Sequence, residues 1–492
     1  MPTALATDAA TVSAVLGAVL VAADFLIKVI ALGVIPGNRK PAAGMAWLIL
    51  IMVIPFGGIL LFLLFGQNSV GKDRRAKQAE ADAAIRHYVR HMPASAPTSG
   101  PDYLPSVATL NSRLTALPWQ PGNRIQLFPG YQDAIDAMTE AVEGAQSAVE
   151  VQFYISAWDD VTDPFFSAVV AAHDRGVRVR VLYDHLGSRG IPGFKDFVKR
   201  LDAAGLDHHA MLPIHPLKGE FRRPDLRNHR KILVVDGLTA FAGSMNMTEP
   251  GYNKPKNHKV GRKWVELVAK VEGPAVSGLR AVFATDWFKE TGEIMAQDVA
   301  PVVPPTYPDG VDCQVVPSGP GYPTQNNLLL FTTLVHAARQ RVSITSPYFV
   351  PDEPLLNAVT TAAQRGLDVE LFVSEEADQF MVGHAQRSYY QALLEAGVRI
   401  YLYPAPAVLH SKHFSIDDDV AVIGSSNMDM RSFALNAEVS LLATGASVVA
   451  DMKRVEDTYR SLSRELTLEE WRERSAGSKY VDNAMRLTSS LQ

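Results

Sequence analysis

The chain opens with two apolar runs and then changes pattern for the rest of its length. Residues Thr11 to Ile35 are almost wholly apolar, interrupted only by Asp24 and Lys28, and Gly44 to Gly66 carry no charge. Each run is long enough, as a helix, to cross a hydrocarbon core of about 30 Å. A short polar loop with Asn38, Arg39 and Lys40 joins them. The pattern predicts a helical membrane hairpin over residues 1–70, with transmembrane helices at about 11–35 and 44–66. Asp24 and Lys28 are one helical turn apart and can neutralise each other on one face. Pro55, Gly57 and Gly58 mark where the second run can fold into a re-entrant turn. Flanking cations favour Lys72, Arg74, Arg75 and Lys77 over Arg39 and Lys40. That excess predicts a multi-pass protein with its downstream body on the cytoplasmic side.

Residues 71–123 read as a helix and linker: Asp73 to Met92 is polar and Ala-rich, and His91 to Tyr103 is rich in Pro, Ser and Gly. From residue 124 strand-like runs alternate with helical ones. Val149–Ile155 and Val177–Tyr183 read as strands, and Phe165–Arg175 and Phe194–Ala204 as helices stopped by Gly176 and Gly205. The same order returns. Val342–Val350 and Leu367–Val373 read as strands, and Leu355–Arg365 and Tyr389–Ala396 as helices stopped by Gly366 and Gly397. Such alternation predicts α/β layers. A repeat of this length indicates a duplicated domain rather than a solenoid. The predicted copies are 124–299 and 311–492, joined by a Pro-rich linker at 300–310.

Composition narrows the functional classes. The 492 residues hold 47 Lys+Arg against 52 Asp+Glu, a net charge of −5, which lacks the basic excess of a general nucleic-acid binder. With 47% hydrophobic and 20% charged residues, global disorder is excluded. A single cysteine, Cys313, excludes an intramolecular disulfide and a Cys-based zinc site.

Both copies end in the same constellation. The first has His229-Arg-Lys231 and Asp236, then Gly243-Ser244-Met-Asn246; the second has His410-Ser-Lys412 and Asp417, then Gly424-Ser425-Ser-Asn427. The six offsets are identical. Six fixed matches arise by chance about once in ten million start positions or fewer. On a strand, residues i and i+2 share a face, so each His and Lys would project together. An imidazole beside an ammonium suits an anion such as phosphate. Asp236 and Asp417 stand where a hairpin turns, which is ordinary turn chemistry as well as a candidate catalytic position. Ser244, Asn246, Ser425 and Asn427 are candidate phosphate donors, with helix capping as the alternative. Two histidines suit phosphodiester chemistry: one attacks phosphorus, and the other protonates the leaving alkoxide and then deprotonates the incoming alcohol. The lysines would stabilise phosphoryl charge. No carboxylate cluster suited to magnesium adjoins either histidine, so neither a metal nor a cofactor is expected.

The paired His-x-Lys-x4-Asp motifs with Gly-Ser-x-Asn tails resemble the phospholipase D superfamily. Within it, the chain is similar to bacterial cardiolipin synthases of the phospholipase D type. The similar text includes Asn228–Gly237, Ser346–Asp352, Arg387–Tyr390, Ile423–Phe433 and the apolar N-terminal segments. The resemblance implies two tandem phospholipase D-like α/β sandwich domains in one pseudo-symmetric body, preceded by the membrane hairpin. It implies transfer of a phosphatidyl group between two phosphatidylglycerol molecules, giving cardiolipin and glycerol, in a bacterial inner membrane and without nucleic acid. By that analogy His229 is the nucleophile and His410 the general acid/base, although the near symmetry of the copies leaves the reverse open. Glu438 matches the family's histidine-orienting carboxylate in the second copy. Glu266, in Trp264-Val-Glu266, is its candidate in the first, where the family pattern is closer to Trp-Arg-Asp. A hydrolase using water, or a synthase using another alcohol, shares these motifs. A non-catalytic lipid-binding scaffold would not need two titratable histidines. Tyr348, Phe349, Tyr389 and Tyr390 read as core or as an acyl groove, and Ser447–Arg474 as a surface helix.

Overall fold

The computed structural model describes residues 2–37, 41–66, 76–80, 83, 96–97, 100–214, 224–295 and 303–489. The chain divides into two units, 1–69 and 70–492. The expected helix at 73–92, the first part of the linker after it, and the flanking cations Arg39, Lys40, Lys72, Arg74 and Arg75 lie largely outside the described residues.

In the N-terminal unit, α1 runs from Pro2 to Val34. Its segment Thr11–Val34 has a mean hydropathy of 2.4 and, among the described residues, is the one helix long and apolar enough to cross a membrane. Lys28 Nζ donates to Asp24 Oδ2 at 2.8 Å, so the two charges inside this run neutralise each other. The expectation of a second continuous span, and with it a multi-pass chain, is corrected here. The run splits into α2 (Pro41–Val53) and α3 (Pro55–Leu61), followed by a π-helical turn over Phe62–Gly66. Each piece is too short to span a bilayer. The cause is local: Ile54 leaves helical geometry at φ −131°, ψ 76°, and Pro55 restarts the helix at its first position. A Cβ on Gly58 would stand 2.8 Å from Ile51 Cα, so α3 folds back closely on α2. Ile51, Phe62, Ala31 and Ile35 form the small core of this unit.

The larger unit is built on one long sheet whose two halves have the same strand order. In the first half the order is 120–128, 268–272, 239–243, 232–235, 148–153, 178–184, 207–211. In the second it is 311–318, 436–444, 420–424, 413–416, 341–345, 368–374, 399–403, with 464–466 added at the edge. The halves join where Gln120 and Asn123 pair antiparallel with Cys313 and Val311. The duplication expected from the sequence is therefore a pseudo-twofold in the fold. The expected first-copy boundary at residue 124 falls inside the strand Gln120–Phe128. The helix Leu104–Thr115 packs on the second half's core, and its Asn111 donates to Gln314 Oε1 at 3.0 Å.

The central strands are buried on both faces, as strands covered by helices on each side must be. Every residue of Ala148–Phe153 is buried, at about 1.5–3 kcal/mol for each large apolar side chain. Phe349, Tyr389 and Tyr390 belong to the second core, so their packing reading holds. The helix Ala446–Leu462 also buries one face, through Val448, Met452 and Tyr459. Three strands in each half run parallel, and the motif strand lies antiparallel beside them, with Val149 opposite Val235 and Gln152 opposite Ile232. That register brings each histidine to the carboxyl ends of the parallel strands, where open α/β sheets form their crevices.

Candidate active site

The two histidines reach the site on short crossings between the halves. Arg227–Asn228, just before His229, pairs parallel with Asn436–Ala437 of the second half. Val408–Leu409, just before His410, pairs parallel with Trp264–Val265 of the first. Each histidine's own amide is tied across as well: His229 N–H donates to Ala437 O and His410 N–H to Val265 O, both at 2.8 Å. His229–Lys231 and His410–Lys412 thus precede their regular strands rather than lying on them. In place of two parallel side chains, each lysine folds back. Lys231 Nζ donates to His229 O and Lys412 Nζ to His410 O, each at 2.5 Å.

The carboxylates are exchanged between halves. His229 Nδ1 lies 3.0 Å from both oxygens of Glu438 and 3.1 Å from Ser425 O. His410 Nδ1 lies 2.7 Å from Glu266 Oε1. The sequence expectation paired each carboxylate with the histidine of its own copy; the fold pairs it with the other. With carboxylates as acceptors, both Nδ1 atoms carry a proton, so Nε2 is the nitrogen left for chemistry: it holds a lone pair in a neutral ring and a second proton in an imidazolium. All four residues are buried.

The motif serines do not offer their hydroxyls to a phosphate. Ser244 Oγ donates to Glu266 Oε2 and Ser425 Oγ to Glu438 Oε2, each at 2.5 Å, while each accepts an amide, from Leu267 and from Val439. A hydroxyl has one proton, so these serines act on the carboxylates. The preceding glycine explains how: a Cβ on Gly243 or Gly424 would collide with the carbonyl of Leu267 or Val439, so only glycine lets the strands approach. Asn246 is also engaged, donating to Tyr252 Oη at 2.8 Å and accepting from Ile155 N–H at 3.2 Å. Asn427 differs, because its buried Oδ1 has no hydrogen-bond partner among the described residues.

Asp236 and Asp417 are not in the site, which corrects their placing among catalytic candidates. Both sit at the far end of the motif strand in left-handed backbone, φ 54° and 51°. Asp236 accepts the amides of Gln146, Ser147 and Ala148, and Asp417 those of Arg339, Gln340 and Arg341. They clamp the start of the neighbouring parallel strand.

The electrostatics break the symmetry. Burial, then Lys231, Lys412 and His410, hold His229 well below the usual histidine range. Burial also lowers His410, with Glu266 opposing. Burial pushes Glu438 up to about 7 against Lys231 and Ser425. Burial opposes the charge on Glu266 too, but His410 and Lys412 hold it below the usual carboxylate range. Burial brings Lys412 down to about 8. Both imidazoles are thus held below their ordinary range, His229 the further, and the carboxylates differ in sign: Glu266 stays ionised beside His410, whereas Glu438 is pushed toward its protonated form beside His229.

Sequence reasoning missed several supporting residues. Arg230 is fully buried between the halves: Nη1 meets Asp286 Oδ2 at 2.6 Å, Nε donates to Glu438 O at 2.9 Å, and Nη2 to Ser318 O at 3.0 Å. It stands in the polar stretch Arg227–Lys231, ahead of the strand Ile232–Val235, so no local pattern marks it as buried. Tyr154 lies edge-on to His229 at 4.8 Å and beneath Lys231 at 5.3 Å. No local pattern marks it. Among the described residues no group of three or more His, Cys, Asp or Glu is arranged to hold a metal ion.

Comparison with known proteins agrees with this geometry. The family model described as "Cardiolipin synthase, PLD-like domain" matches residues 138–287 and 331–458, one stretch in each half. Cardiolipin synthase A of Pectobacterium carotovorum subsp. carotovorum (strain PC1) is 33% identical over 481 residues, 95% of this chain and 96% of that protein. Cardiolipin synthase A of Yersinia pseudotuberculosis serotype O:1b (strain IP 31758) is 34% identical over 473 residues, 95% of this chain and 96% of its own. The crystal structure of a Haemophilus influenzae phosphatidylserine synthase shares the fold at a TM-score of 0.58 with 14% identity, covering 78% of this chain and 99% of that one.

Proposed function

Because the chain belongs to the cardiolipin synthase family of phospholipase D-like proteins and is a phosphatidyltransferase, we propose that it joins two phosphatidylglycerol molecules into cardiolipin and glycerol through a phosphohistidine intermediate. The observation that carries this reading is the meeting of two buried histidines, each anchored at Nδ1 by a carboxylate from the other half. A neutral imidazole anchored in this way presents the Nε2 lone pair, as a nucleophile requires.

The electrostatic asymmetry supports His229 in that role. It is held neutral by burial and by the cations around it. Its Nε2 bonds to phosphorus while the P–O bond to the glycerol head group breaks. His410 suits the acid, since an ionised Glu266 stabilises its imidazolium. It gives its proton to the departing glycerol oxygen. It then takes the proton of the second phosphatidylglycerol's terminal hydroxyl as that oxygen attacks phosphorus and displaces His229. Lys231 and Lys412 neutralise the phosphoryl oxygens. Glu438 and Glu266 position the rings, and Ser425 and Ser244 hold those carboxylates. Substrate phospholipids place the reaction at a bacterial membrane, with α1 as the anchor.

The test is product analysis. The full chain in detergent is given labelled phosphatidylglycerol with chelator present, beside His229→Ala and His410→Ala. Cardiolipin and free glycerol in equal amounts, absent in both variants, are expected. An alkaline denaturing quench of the unaltered chain during turnover, which spares the acid-labile P–N bond, should trap label on protein, and the same quench of His229→Ala should trap none. Phosphatidic acid as the sole product would make water the acceptor and overturn the synthase reading.

A further inference from the structure

A strip of cations and exposed apolar side chains lies outside the residues described so far. The segment Lys254–Lys263 carries Lys254, Lys256, Lys259, Arg262 and Lys263, five cations in ten residues of a chain whose net charge is −5. His258 faces Glu249 at 2.8 Å and Arg262 faces Glu376 at 3.1 Å. Lys256, Lys259 and Lys263 are exposed and have no acidic partner among the described residues. Among them Val260 stands 54% exposed on the short helix Pro255–Val260. The Arg262–Glu376 pair ties this segment to the loop leading into the helix Phe380–Ala396. That helix begins with Phe380, 68% exposed, and Met381, 44% exposed.

Both segments border the active site. Lys254 lies 6.0 Å over the ring of Tyr252, which holds Asn246. Asp378 bonds Tyr348 at 2.8 Å, and its charge reaches Lys412. Both follow carboxyl ends of sheet strands, the pole at which the histidines stand. The combination is specific: unpaired lysines flank Val260 on one segment, and on the other Phe380 and Met381 project beyond Glu375, Glu376 and Asp378, all three apolar side chains exposed among the described residues. Cations near a surface are drawn to anionic head groups, and protruding apolar side chains enter the acyl boundary.

We propose that this rim, Lys254–Lys263 with Phe380 and Met381, docks on an anionic bilayer surface and sets the cleft mouth against the head groups. The proposal rests on the phosphatidylglycerol reading only for its choice of lipid, and its test requires no turnover. The chain's one cysteine, Cys313, is fully buried, so the native protein is silent to thiol labelling. Full-length Val260→Cys and Phe380→Cys, each carrying a polarity-sensitive fluorophore, are placed in nanodiscs containing phosphatidylglycerol or in purely zwitterionic ones. Gln364→Cys, exposed at the opposite pole of the sheet, is the control.

Both rim probes should shift to the blue and be quenched from the acyl chains in the anionic discs, and high salt should reverse this. The control should do neither. Rim probes as water-exposed as the control, or a shift equal in zwitterionic discs, would overturn the proposal. So would a shift that needs no lipid and grows with protein concentration, which would assign the face to a second copy. Because the readout is optical, a failed docking surface and a failed synthase reading give separate results.

Discussion

At the residue scale, two nearly identical motifs occupy unequal environments, and the inequality makes a pH prediction. Burial raises Glu438 to about 7. Below that pH it is protonated and a poorer acceptor for His229 Nδ1, so activity rises as pH increases through 7. Burial lowers Lys412 to about 8. Above that pH it loses the charge proposed to neutralise the phosphoryl oxygens, so activity falls. His229 is held well below its ordinary range, so it adds no limb near neutrality. The expected kcat/KM profile is a narrow bell with apparent limbs near 7 and 8, belonging to the coupled site as a whole. Lys412→Arg should shift the alkaline limb, because a guanidinium stays charged, while burial also holds Lys231 well below the usual lysine range and leaves that residue's contribution in place. A profile flat from roughly pH 6 to 9 would remove the link between these groups and catalysis.

At the element scale, the motif aspartates belong to turns. Asp236 gathers three amides at the start of the strand Ala148–Phe153. Asp236→Ala leaves those donors without their acceptor and should cost about 1–3 kcal/mol of stability. Activity per folded molecule should be unchanged, as read from thermal unfolding beside kcat. A large kcat loss at unchanged stability would return Asp236 to the chemistry. The same contrast explains what the sequence could reveal. The repeated strand–helix order and the Gly stops are local patterns, and both halves of the fold follow them. The crossing strands before His229 and His410 are two residues each, too short to carry periodicity. Their partners lie in the other half, so the exchange of Glu266 and Glu438 had no local signal. The partner of each serine hydroxyl depends on strand packing, which Gly243 and Gly424 permit, and no local pattern carries it. Pro55 did announce the break in the second apolar run, since a proline that restarts a helix ends the one before it.

At the scale of the whole molecule, neither half contains a complete histidine–carboxylate pair of its own. His229 depends on Glu438 and His410 on Glu266, so duplication here produced an interdependent site. The continuous sheet through Gln120–Cys313 and the buried Arg230 clamp hold the halves in register. Both histidines therefore meet within one chain, so a single copy supplies both. An equimolar mixture of His229→Ala and His410→Ala chains should stay as inactive as either alone. Linked pairs should also be non-additive: Glu266→Gln added to His410→Ala should cost almost nothing further, because the carboxylate acts through the ring that is gone. Glu266→Gln added to His229→Ala is the comparison, since there the ring it serves remains. Recovery of cardiolipin formation on mixing would mean that one chain's half can complete another's site. The exchange between halves would then also operate between chains.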